Sequence, residues 1–337
     1  MFERQTVVVT GGTGSFGHYI ARMLLKHKAK RVVIFSRDEK KQDDMRYEFR
    51  DAPAIEFVIG DVRDPEATRR VMEGADTVFH AAALKQVPSC EYNVREAVLT
   101  NVLGAQNVIE ACRAARVPAV VAVSTDKAVK PVNTMGMTKA LQERLFIGAN
   151  LSGKGVFSCV RYGNVIGSRG SVVPLFRKQI DHGGPLTVTD PRMTRFSLTL
   201  GQAIGLVFAA AKDARGGEIY VKKLSAIRVG DLARVMVDAA TKSERIKIRT
   251  VGVRPGEKLH EVLISEEEAH RTVEYRDHFV VLPHIGVPRT ERRYRGLPRT
   301  RVLEYGSGTA HRMTRSEIAR LLQAEGILSL HRANAVP

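Results

Sequence analysis

The stretch "VVVTGGTGSFGHYIA", Val7 to Ala21, determines the fold prediction because three spaced glycines join an apolar run to a helical pattern. The apolar run has the β-branched character of a buried strand, and "GHYIARMLLKHK" has the spacing of an amphipathic helix. Gly11, Gly14 and Gly17 permit a tight turn in which backbone N–H groups and the helix N-terminus face a pyrophosphate. The stretch therefore predicts the first strand, turn and helix of a dinucleotide-binding fold.

Five further apolar runs alternate with helical patterns over the first 160 residues: "RVVIFS", "IEFVIG", "DTVFHAA", "AVVAVST" and "VFSCVR". This alternation predicts a doubly wound, parallel α/β sheet of the Rossmann type, with a crevice at the carboxyl ends of its strands. Beyond Arg161 glycine and proline become frequent and the strands become short, as in a loop-rich region. We expect a cofactor domain over 1–165, to which some later segments return, and a substrate-binding region over 166–330. A capping box of Thr314 and Glu317 predicts one last helix.

Composition limits the class of protein. The chain has 337 residues, 44% of them hydrophobic, and no run approaches eighteen apolar residues, so we expect a cytoplasmic protein without membrane insertion or signal peptide. Cys90, Cys112 and Cys159 lack the spacing of metal ligands, which predicts reduced core thiols and no metal site.

The net charge of +17 raises the question of a polyanionic partner. Arginines cluster in "RTERRYRGLPRTR", Arg289 to Arg301, but the chain has no Trp and 6% aromatics, and it carries no nucleic-acid-binding motif. We therefore expect no nucleic-acid partner and interpret the run as a solvated or subunit-contact surface, with a binding patch as the alternative.

The second apolar run ends in "IFSRDEKK", where an NAD site offers an acidic residue to the ribose diol. Here Ser36 and Arg37 come first, and a hydroxyl with a guanidinium can bind a 2′-phosphate, which favours NADP. Asp38 leaves NAD as the alternative.

Two later stretches complete the cofactor prediction. "GDVRD" places Asp61 and Val62 where an adenine edge is met, and "HAAA" places small residues beside the cofactor, although helix–sheet packing explains alanines equally well. The predicted cofactor-binding residues are Gly11, Thr13, Gly14, Ser15, Phe16, Gly17, Ser36, Arg37, Asp61, Val62, Ala81, Ala82, Ala83 and Lys139.

The stretch "STDKAVKPVNTMGMTK", Ser124 to Lys139, has the spacing of a catalytic tyrosine–lysine pair, but its first position is Met135. A thioether does not titrate, and a methionine at a helix start is ordinarily a core residue. Asp126 and Lys127, at the end of the fifth apolar run, are the titratable alternatives.

Eight motifs follow one another along the chain: "TGGTGSFG", "FSRDEKKQ", "GDVRD", "HAAALKQVP", "STDKA", "RYGNVIGSRGSVVPLF", "DPRMTRF" and "RPGEKLHE". Together they resemble the extended short-chain dehydrogenase/reductases of the polysaccharide-biosynthesis group, specifically the UDP-N-acetylglucosamine 4,6-dehydratases that invert C5. The resemblance covers roughly Phe2 to Leu263. Beyond it, "VLEYGSGT" and the capped helix are similar to the capsular and lipopolysaccharide branch that begins UDP-N-acetyl-L-fucosamine synthesis.

The resemblance implies an internal redox cycle in which NADP stays bound. Hydride leaves C4 of the UDP-sugar for the nicotinamide, and the resulting 4-ketone acidifies the C5 proton. Water is lost across C5 and C6, the hydride returns to C6, and a proton returns to C5 from the opposite face.

The resemblance also implies roles for individual residues. In similar enzymes the residue at Asp126 is the acid and the one at Lys127 is the C5 base. Lys139 holds the nicotinamide ribose, and Met135 replaces the tyrosine, as in the capsular branch. We hypothesise that Lys127, directly or through the Thr125 hydroxyl, takes the C4 proton. A lysine base needs a pKa near neutrality, which burial beside a second cation such as Lys139 would give.

Substrate contacts are implied in the same way, from the sugar and diphosphate to the uracil and its ribose. The predicted residues are Lys85, Asn164, Ser171, Val172, Pro174, Thr187, Val188, Thr189, Arg195, Arg254 and Glu257. Ordinary strand positions for Thr187 and Thr189, and surface salt bridges for Arg195 and Arg254, are the alternatives.

Two other functions fit the same scaffold. One is a nucleotide-sugar 4-epimerase or reductase, against which the missing tyrosine counts, and the other is a non-catalytic NADP-binding regulatory protein. Members of this family commonly oligomerise, so we expect a homo-oligomer.

Overall fold

The computed structural model describes residues 1–240 and 246–328, which form two compact units. Unit 1 comprises Met1–Tyr162, Leu200–Lys223 and Val262–Tyr305. Unit 2 comprises Gly163–Thr199 and the described residues of Leu224–Glu261 and of the chain from Gly306 onward. The assignment of cofactor binding to 1–165 and of substrate binding to 166–330 stays a prediction.

Unit 1 is built on a nine-stranded sheet in the order β14-β15-β10-β6-β5-β4-β1-β2-β3. Its strands are β1 (Thr6–Thr10), β2 (Arg31–Ser36), β3 (Ile55–Ile59), β4 (Thr77–His80), β5 (Ala119–Val123), β6 (Val156–Arg161), β10 (Ile219–Lys222), β14 (Thr272–Glu274) and β15 (His278–Val281). The first six strands and β10 pair in parallel, whereas β15 runs antiparallel to β10 and to β14. The predicted doubly wound α/β sheet is confirmed, with all six apolar runs as strands.

The direction of winding changes between β1 and β4. The chain extends the sheet from β1 through β2 to β3 and then continues on the other side of β1 with β4, β5 and β6. In such sheets the switch point opens a crevice at the carboxyl ends of the strands. The glycine turn after β1 and the Ser124–Lys139 stretch after β5 begin at that edge.

The helices of unit 1 are α1 (Ser15–Lys26), α2 (Glu39–Glu48), α3 (Pro65–Met72), α4 (Val87–Tyr92), α5 (Val94–Val98), α6 (Gly104–Ala114), α7 (Thr134–Gly148), α9 (Leu200–Asp213), α11 (Glu266–Ala269) and α12 (Pro288–Tyr294). A π-helical turn joins α5 to α6, and a 3₁₀ turn at Asp126–Ala128 follows β5. Because helices cover the strands, Val7, Val8 and Val9 of β1 are fully buried.

Unit 2 holds two small sheets, ordered β11-β9-β7 and β12-β8. Its strands are β7 (Asn164–Val165), β8 (Leu186–Val188), β9 (Thr194–Leu198), β11 (Ala226–Arg228) and β12 (Ile248–Thr250), and its helices are α8 (Val172–Asp181), α10 (Val229–Asp238) and α13 (Arg315–Ala324). Two further strands are β13 (Val262–Ile264) and β16 (Tyr305–Gly306). The capping box of Thr314 and Glu317 is present at the start of α13, as predicted, and Ile318 and Leu322 pack into the core of the unit.

Three structural features bear on the compositional predictions. Cys90, Cys112 and Cys159 are buried free thiols, as expected. No helix in the described ranges is long and apolar enough to cross a bilayer. Across residues 1–240 and 246–328, no cluster of His, Cys, Asp and Glu could hold a metal ion.

Candidate active site

In the glycine turn between β1 and α1, Gly11 and Gly17 have no room for a side chain. Gly11 has a φ of 66°, and a Cβ there would lie 2.7 Å from the backbone of Ala82. A Cβ at Gly17 would lie 1.8 Å from the carbonyl oxygen of Gly12. The turn thus brings backbone against backbone, and α1 begins after Gly14 without a side-chain cap. An uncapped helix N-terminus behind a glycine turn suits a bound phosphate group.

Ser36, Arg37 and Asp38, at the end of β2, bear on the choice between NADP and NAD, and the structure places their side chains in different surroundings. The Ser36 hydroxyl is buried and hydrogen-bonds the Thr13 hydroxyl at 2.8 Å. Asp38 caps α2 by accepting from the backbone N–H of Lys41 at 3.0 Å, and it also pairs with the Lys41 ammonium. The side chain of Arg37 is half exposed. The acidic residue is therefore already used within its own helix, and the guanidinium is available.

Asp61, after β3, is held by two arginines. Arg63 donates to it at 2.7 Å, and Arg37 Nη1 lies 3.4 Å away. Burial alone would raise the pKa of Asp61, but the hydrogen bonds from Arg63 and the charge of Arg37 outweigh it and lower that pKa. Val62 is buried, and its carbonyl accepts from Asn107 at 2.9 Å.

Ala81 and Ala82, two further predicted cofactor residues, follow β4, which pairs with β1 in the sheet. The backbone N–H groups of Ala81 and Ala82 donate to the carbonyl and the hydroxyl of Thr10, which ties the stretch after β4 to the glycine turn. The structure therefore brings Gly11 and Ala82 together, as the close approach at Gly11 requires. The cofactor roles of the whole predicted set, including Ser15, Phe16 and Ala83, stay predictions.

The turn after β5 carries a buried acid next to a lysine. Asp126 is fully buried, and its Oδ1 accepts from Lys127 Nζ and from Thr125 Oγ1, both at 2.9 Å. Its Oδ2 has no hydrogen-bond partner in the described part of the chain. Lys127 keeps about a fifth of its side chain exposed. The turn therefore presents one carboxyl oxygen without a protein partner and, beside it, an ammonium group within reach of solvent.

Met135 is a core residue at the start of α7. It is 4% exposed and packs against Cys90, Ala97 and neighbouring apolar side chains. A thioether in this cluster supplies no proton. The Ser124–Lys139 stretch thus contains no titratable group at the tyrosine position.

Lys139, one turn later on α7, buries its ammonium group. Its Nζ donates to the carbonyl of Val123, at the end of β5, at 2.7 Å and to Gln142 Oε1. Burial lowers its pKa to about 8, although Cys159 and Glu143 act in the opposite direction. A lysine whose pKa is near 8 gains or loses its proton within the pH range in which most enzymes work.

In unit 2, several predicted substrate residues line one small cavity of about 30 Å³. Asn164, Ser171, Val172 and Arg195 all contribute to it. Arg195 donates to the carbonyls of Thr194, Leu259 and Lys258 at 2.8 to 3.2 Å, and its Nε lies 3.8 Å from Glu261. Arg195 is thus part of a buried network and is not an exposed surface pair.

The other predicted substrate residues lie elsewhere. Thr187 exchanges two hydrogen bonds with Gln179, Val188 is buried, and Thr189 contacts the sulfur of Met193. Arg254 and Glu257 close one turn, Pro174 lies in the first turn of α8, and Lys85 lies in the loop after β4. Partial burial of its ammonium group lowers the pKa of Lys85. Substrate binding by this set stays a prediction.

Sequence reasoning missed a buried ionic cluster behind the turn. Arg161, the last residue of β6, is 1% exposed and pairs with Glu143 of α7 and Glu268 of α11. A charged residue ending the otherwise apolar run "VFSCVR" was the available signal. The two carboxylates could not be assigned to it because they lie 18 residues before it and 107 after it.

Reasoning from the sequence also missed His80. Its Nδ1 shares a hydrogen bond with Thr10 Oγ1 at 2.8 Å, and its ring stacks on Phe146. Burial, together with the charge of Lys139, lowers its pKa to about 3, so it is a neutral imidazole. His80 ends an apolar run in the sequence, and nothing about that position distinguishes it from an ordinary core residue.

Several known proteins are similar to this chain over most of its length. A relative from Campylobacter jejuni, named UDP-N-acetylglucosamine 4,6-dehydratase (inverting), is 44% identical over 290 residues, which are 85% of each chain. A relative from Rickettsia conorii, named UDP-glucose 4-epimerase, is 43% identical over 332 residues, or 96% of each chain. The X-ray structure of Pen from Bacillus thuringiensis has a TM-score of 0.90 at 39% identity, covering 98% of this chain and 100% of that one.

A family model described as "Polysaccharide biosynthesis protein" matches residues 7–283. The matched range begins in β1 and ends just after β15, so it includes the glycine turn, the turn after β5 and Lys139. The chain therefore belongs to the polysaccharide biosynthesis protein family.

Proposed function

We propose that this protein is a nucleotide-sugar 4,6-dehydratase that converts UDP-N-acetylglucosamine, with inversion at C5, into a UDP-2-acetamido-2,6-dideoxy-hexos-4-ulose. The observation that carries the proposal is the buried Asp126 beside Lys127 at the carboxyl end of β5. Water elimination needs an acid and a base on adjacent carbons, and a simple hydride transfer does not. The name of the Campylobacter relative supports the same reaction.

NADP is the proposed cofactor, and the residues present fit it. The closed glycine turn and the uncapped start of α1 suit a pyrophosphate. The guanidinium of Arg37 is half exposed and reaches Asp61 only at 3.4 Å, so it suits a 2′-phosphate, while Asp38 is used as a helix cap. NADP, when bound, supplies a hydride acceptor that can return the hydride within the same cycle.

The proton transfers fall to the turn after β5. We assign the acid to Asp126, whose Oδ2 is the carboxyl oxygen without a protein partner, so it can protonate the departing C6 hydroxyl. We assign the C4 hydroxyl proton to Lys127, because Met135 cannot take it, and Lys127 passes this proton to the Asp126 carboxylate 2.9 Å away. Lys127 is then neutral again and removes the C5 proton, which it later releases to solvent, while Asp126 gives the proton it received to the departing C6 hydroxyl. The Thr125 hydroxyl bonds Asp126 Oδ1, so a relay from Thr125 to Lys127 would pass through that carboxylate oxygen.

The predicted substrate residues of unit 2 are proposed to hold the UDP group. Arg195 and Arg254 would neutralise the diphosphate, and Glu257 would bind the ribose hydroxyls. We further propose that the protein acts in the cytoplasm as a homo-oligomer and supplies precursors of surface polysaccharides such as capsule or lipopolysaccharide.

A 4-epimerase is the second candidate, because the Rickettsia relative carries that name over 96% of both chains. An epimerase oxidises and reduces C4 and never breaks the C5–H or C6–O bond. The two activities are therefore separated by the fate of C5 and C6.

The test is proton NMR of UDP-N-acetylglucosamine with the protein and NADP in heavy water. Dehydration gives a new C6 methyl signal with deuterium at C5, epimerisation gives a galacto-configured product, and a regulatory protein gives neither. Lys127→Ala should abolish both ketone formation and C5 exchange, whereas Lys40→Ala, which removes an exposed lysine paired with Asp44, should leave both intact. Substantial turnover by Lys127→Ala would contradict the assigned base.

A further inference from the structure

We propose that Ser124, Glu143, Arg161 and Glu268 form a positioning network that holds the Asp126–Lys127 turn in its working geometry. None of these four residues belongs to the predicted acid–base or binding set. The inference rests on the proposed function, because the turn is assigned the proton transfers there. It assigns the four residues no direct contact with substrate.

Arg161 is the centre of the network, and every donor of its guanidinium is used. Nε and Nη2 donate to the two oxygens of Glu143 at 3.0 and 2.6 Å. Nη1 and Nη2 donate to the two oxygens of Glu268 at 2.8 and 3.0 Å, and Nη1 also reaches the carbonyl of Leu263 at 2.8 Å. The planar fork therefore fixes two carboxylates in one geometry, which a lysine could not do.

The network reaches the catalytic turn through Ser124. Ser124 Oγ donates to Glu143 Oε1 at 2.5 Å, and its backbone N–H donates to the carbonyl of Val160, next to Arg161, at 2.7 Å. Two residues later, the N–H of Asp126 donates to the carbonyl of Tyr162 at 3.2 Å. The turn is thus fastened to both sides of Arg161, by one side-chain bond and two backbone bonds.

Helix α11 also holds the far end of the turn. Lys130, whose φ is 45°, pairs with Glu266 of α11 and with Glu304. Glu268, two residues along in α11, is the carboxylate that reaches Arg161. One acidic helix therefore contacts the ionic network behind the turn and the lysine after it.

Stability alone is a weak reason for such an arrangement. A buried ion pair loses hydration that its attraction barely repays, and apolar residues of similar volume are often as stable. What the bidentate geometry does provide is orientation, and a displacement of about 1 Å in a reacting group can lower a rate by about a hundredfold. Positioning the turn is therefore the role that the geometry favours.

Ser124→Ala tests the network by cutting its side-chain tie to the turn. Glu143 keeps both bonds from Arg161 in this variant, so the ion pairs of Arg161 with Glu143 and Glu268 are retained. We expect kcat to fall about tenfold or more with KM changed less than about twofold, because a displaced acid–base pair weakens the transition state more than binding. The matched control is Ser158→Ala, which removes another buried serine hydroxyl, one without a hydrogen-bond partner among the described residues.

Amide hydrogen exchange of segment 124–130 provides a readout that does not depend on turnover. Ser124→Ala should accelerate exchange in that segment about tenfold, while Ser158→Ala should leave it at the wild-type rate. An unchanged kcat in Ser124→Ala, equal losses in both variants, or unchanged exchange would each overturn the positioning role. If the wild-type protein fails to dehydrate UDP-N-acetylglucosamine, the proposed function falls, and the exchange rates alone decide the positioning role.

Discussion

The pKa of Lys139 gives a quantitative prediction. Burial destabilises the charged form of this side chain, so the stability of the fold depends on the pH. The folded chain holds its ammonium group 5% exposed, bonded to the carbonyl of Val123 and to Gln142. Burial lowers its pKa from 10.5 to about 8, against the smaller opposing effects of Cys159 and Glu143. The unfolded chain therefore binds this proton more tightly than the folded chain does. Protonation of Lys139 destabilises the fold, and that penalty disappears as the pH rises from 8 toward 10.5.

The magnitude follows from the difference between 10.5 and about 8, which is about 2.5 pKa units. Well below pH 8 the buried charge destabilises the fold by about 3 kcal/mol, at about 1.36 kcal/mol per unit. Most of this penalty is still present at pH 7.5, and less than half of it is left at pH 9.5. The wild-type protein should therefore gain about 2 kcal/mol from this group between pH 7.5 and 9.5.

Lys139→Met removes the titrating group while keeping the length of the side chain, so the wild-type curve minus the variant curve isolates the gain. The assay is urea unfolding of both proteins at half-unit steps from pH 7.5 to 9.5. Lys40→Met is the control, because Lys40 is exposed and the hydrogen bond that it donates to Asp44 raises its pKa, so it titrates above this window. Parallel pH dependences for wild type and Lys139→Met would refute the burial argument.

Three further predictions concern the predicted site. Met135→Tyr should overfill a closed apolar cluster, destabilise the fold by about 1–3 kcal/mol in urea unfolding and give no increase in kcat. Gly17→Ala should abolish tight NADP binding in a calorimetric titration, because its Cβ would lie 1.8 Å from the carbonyl of Gly12, whereas Gly205→Ala, at an exposed position of α9 where a Cβ meets no atom within 4 Å, should still bind. Arg37→Ala should weaken NADP by at least about tenfold and NAD by much less, and equal losses for both would contradict the 2′-phosphate assignment.

The fold was predictable because its information is local. Each of the first six strands is a short apolar run between helical patterns, and the spacing of the glycines alone indicates the glycine turn. The antiparallel strands β14 and β15 could not be anticipated, because His278–Val281 lies more than a hundred residues after β6 and its partner β10 is a run of only four residues. The sequence predicted that some later segments return to the first domain, but nothing local indicates which segments do so or that they pair antiparallel.

The same rule holds for the site: residues adjacent in the sequence could be predicted to meet, and contacts between distant segments could not. Asp126 and Lys127 stand side by side in the sequence, so their meeting needed no knowledge of the fold. The ion pair of Arg161 with Glu268 depends on α11 packing behind β6, across 107 residues. Sequence spacing carries no information about such a contact, and only the unusual charge at the end of an apolar strand hinted at it.

The site lacks a tyrosine at position 135, but its buried charged side chains form their hydrogen bonds near the end of β5. Lys139 binds the carbonyl of Val123, the residue directly before Ser124, and Ser124 binds the carboxylate that Arg161 holds. Both buried cations are therefore tied to the strand end that bears the Asp126–Lys127 turn, and neither is tied to Met135. A site built this way keeps its electrostatic support after the tyrosine is replaced, because that support is directed at the turn. Under the proposed function, the C4 proton transfer falls to the turn, because Met135 carries no hydroxyl.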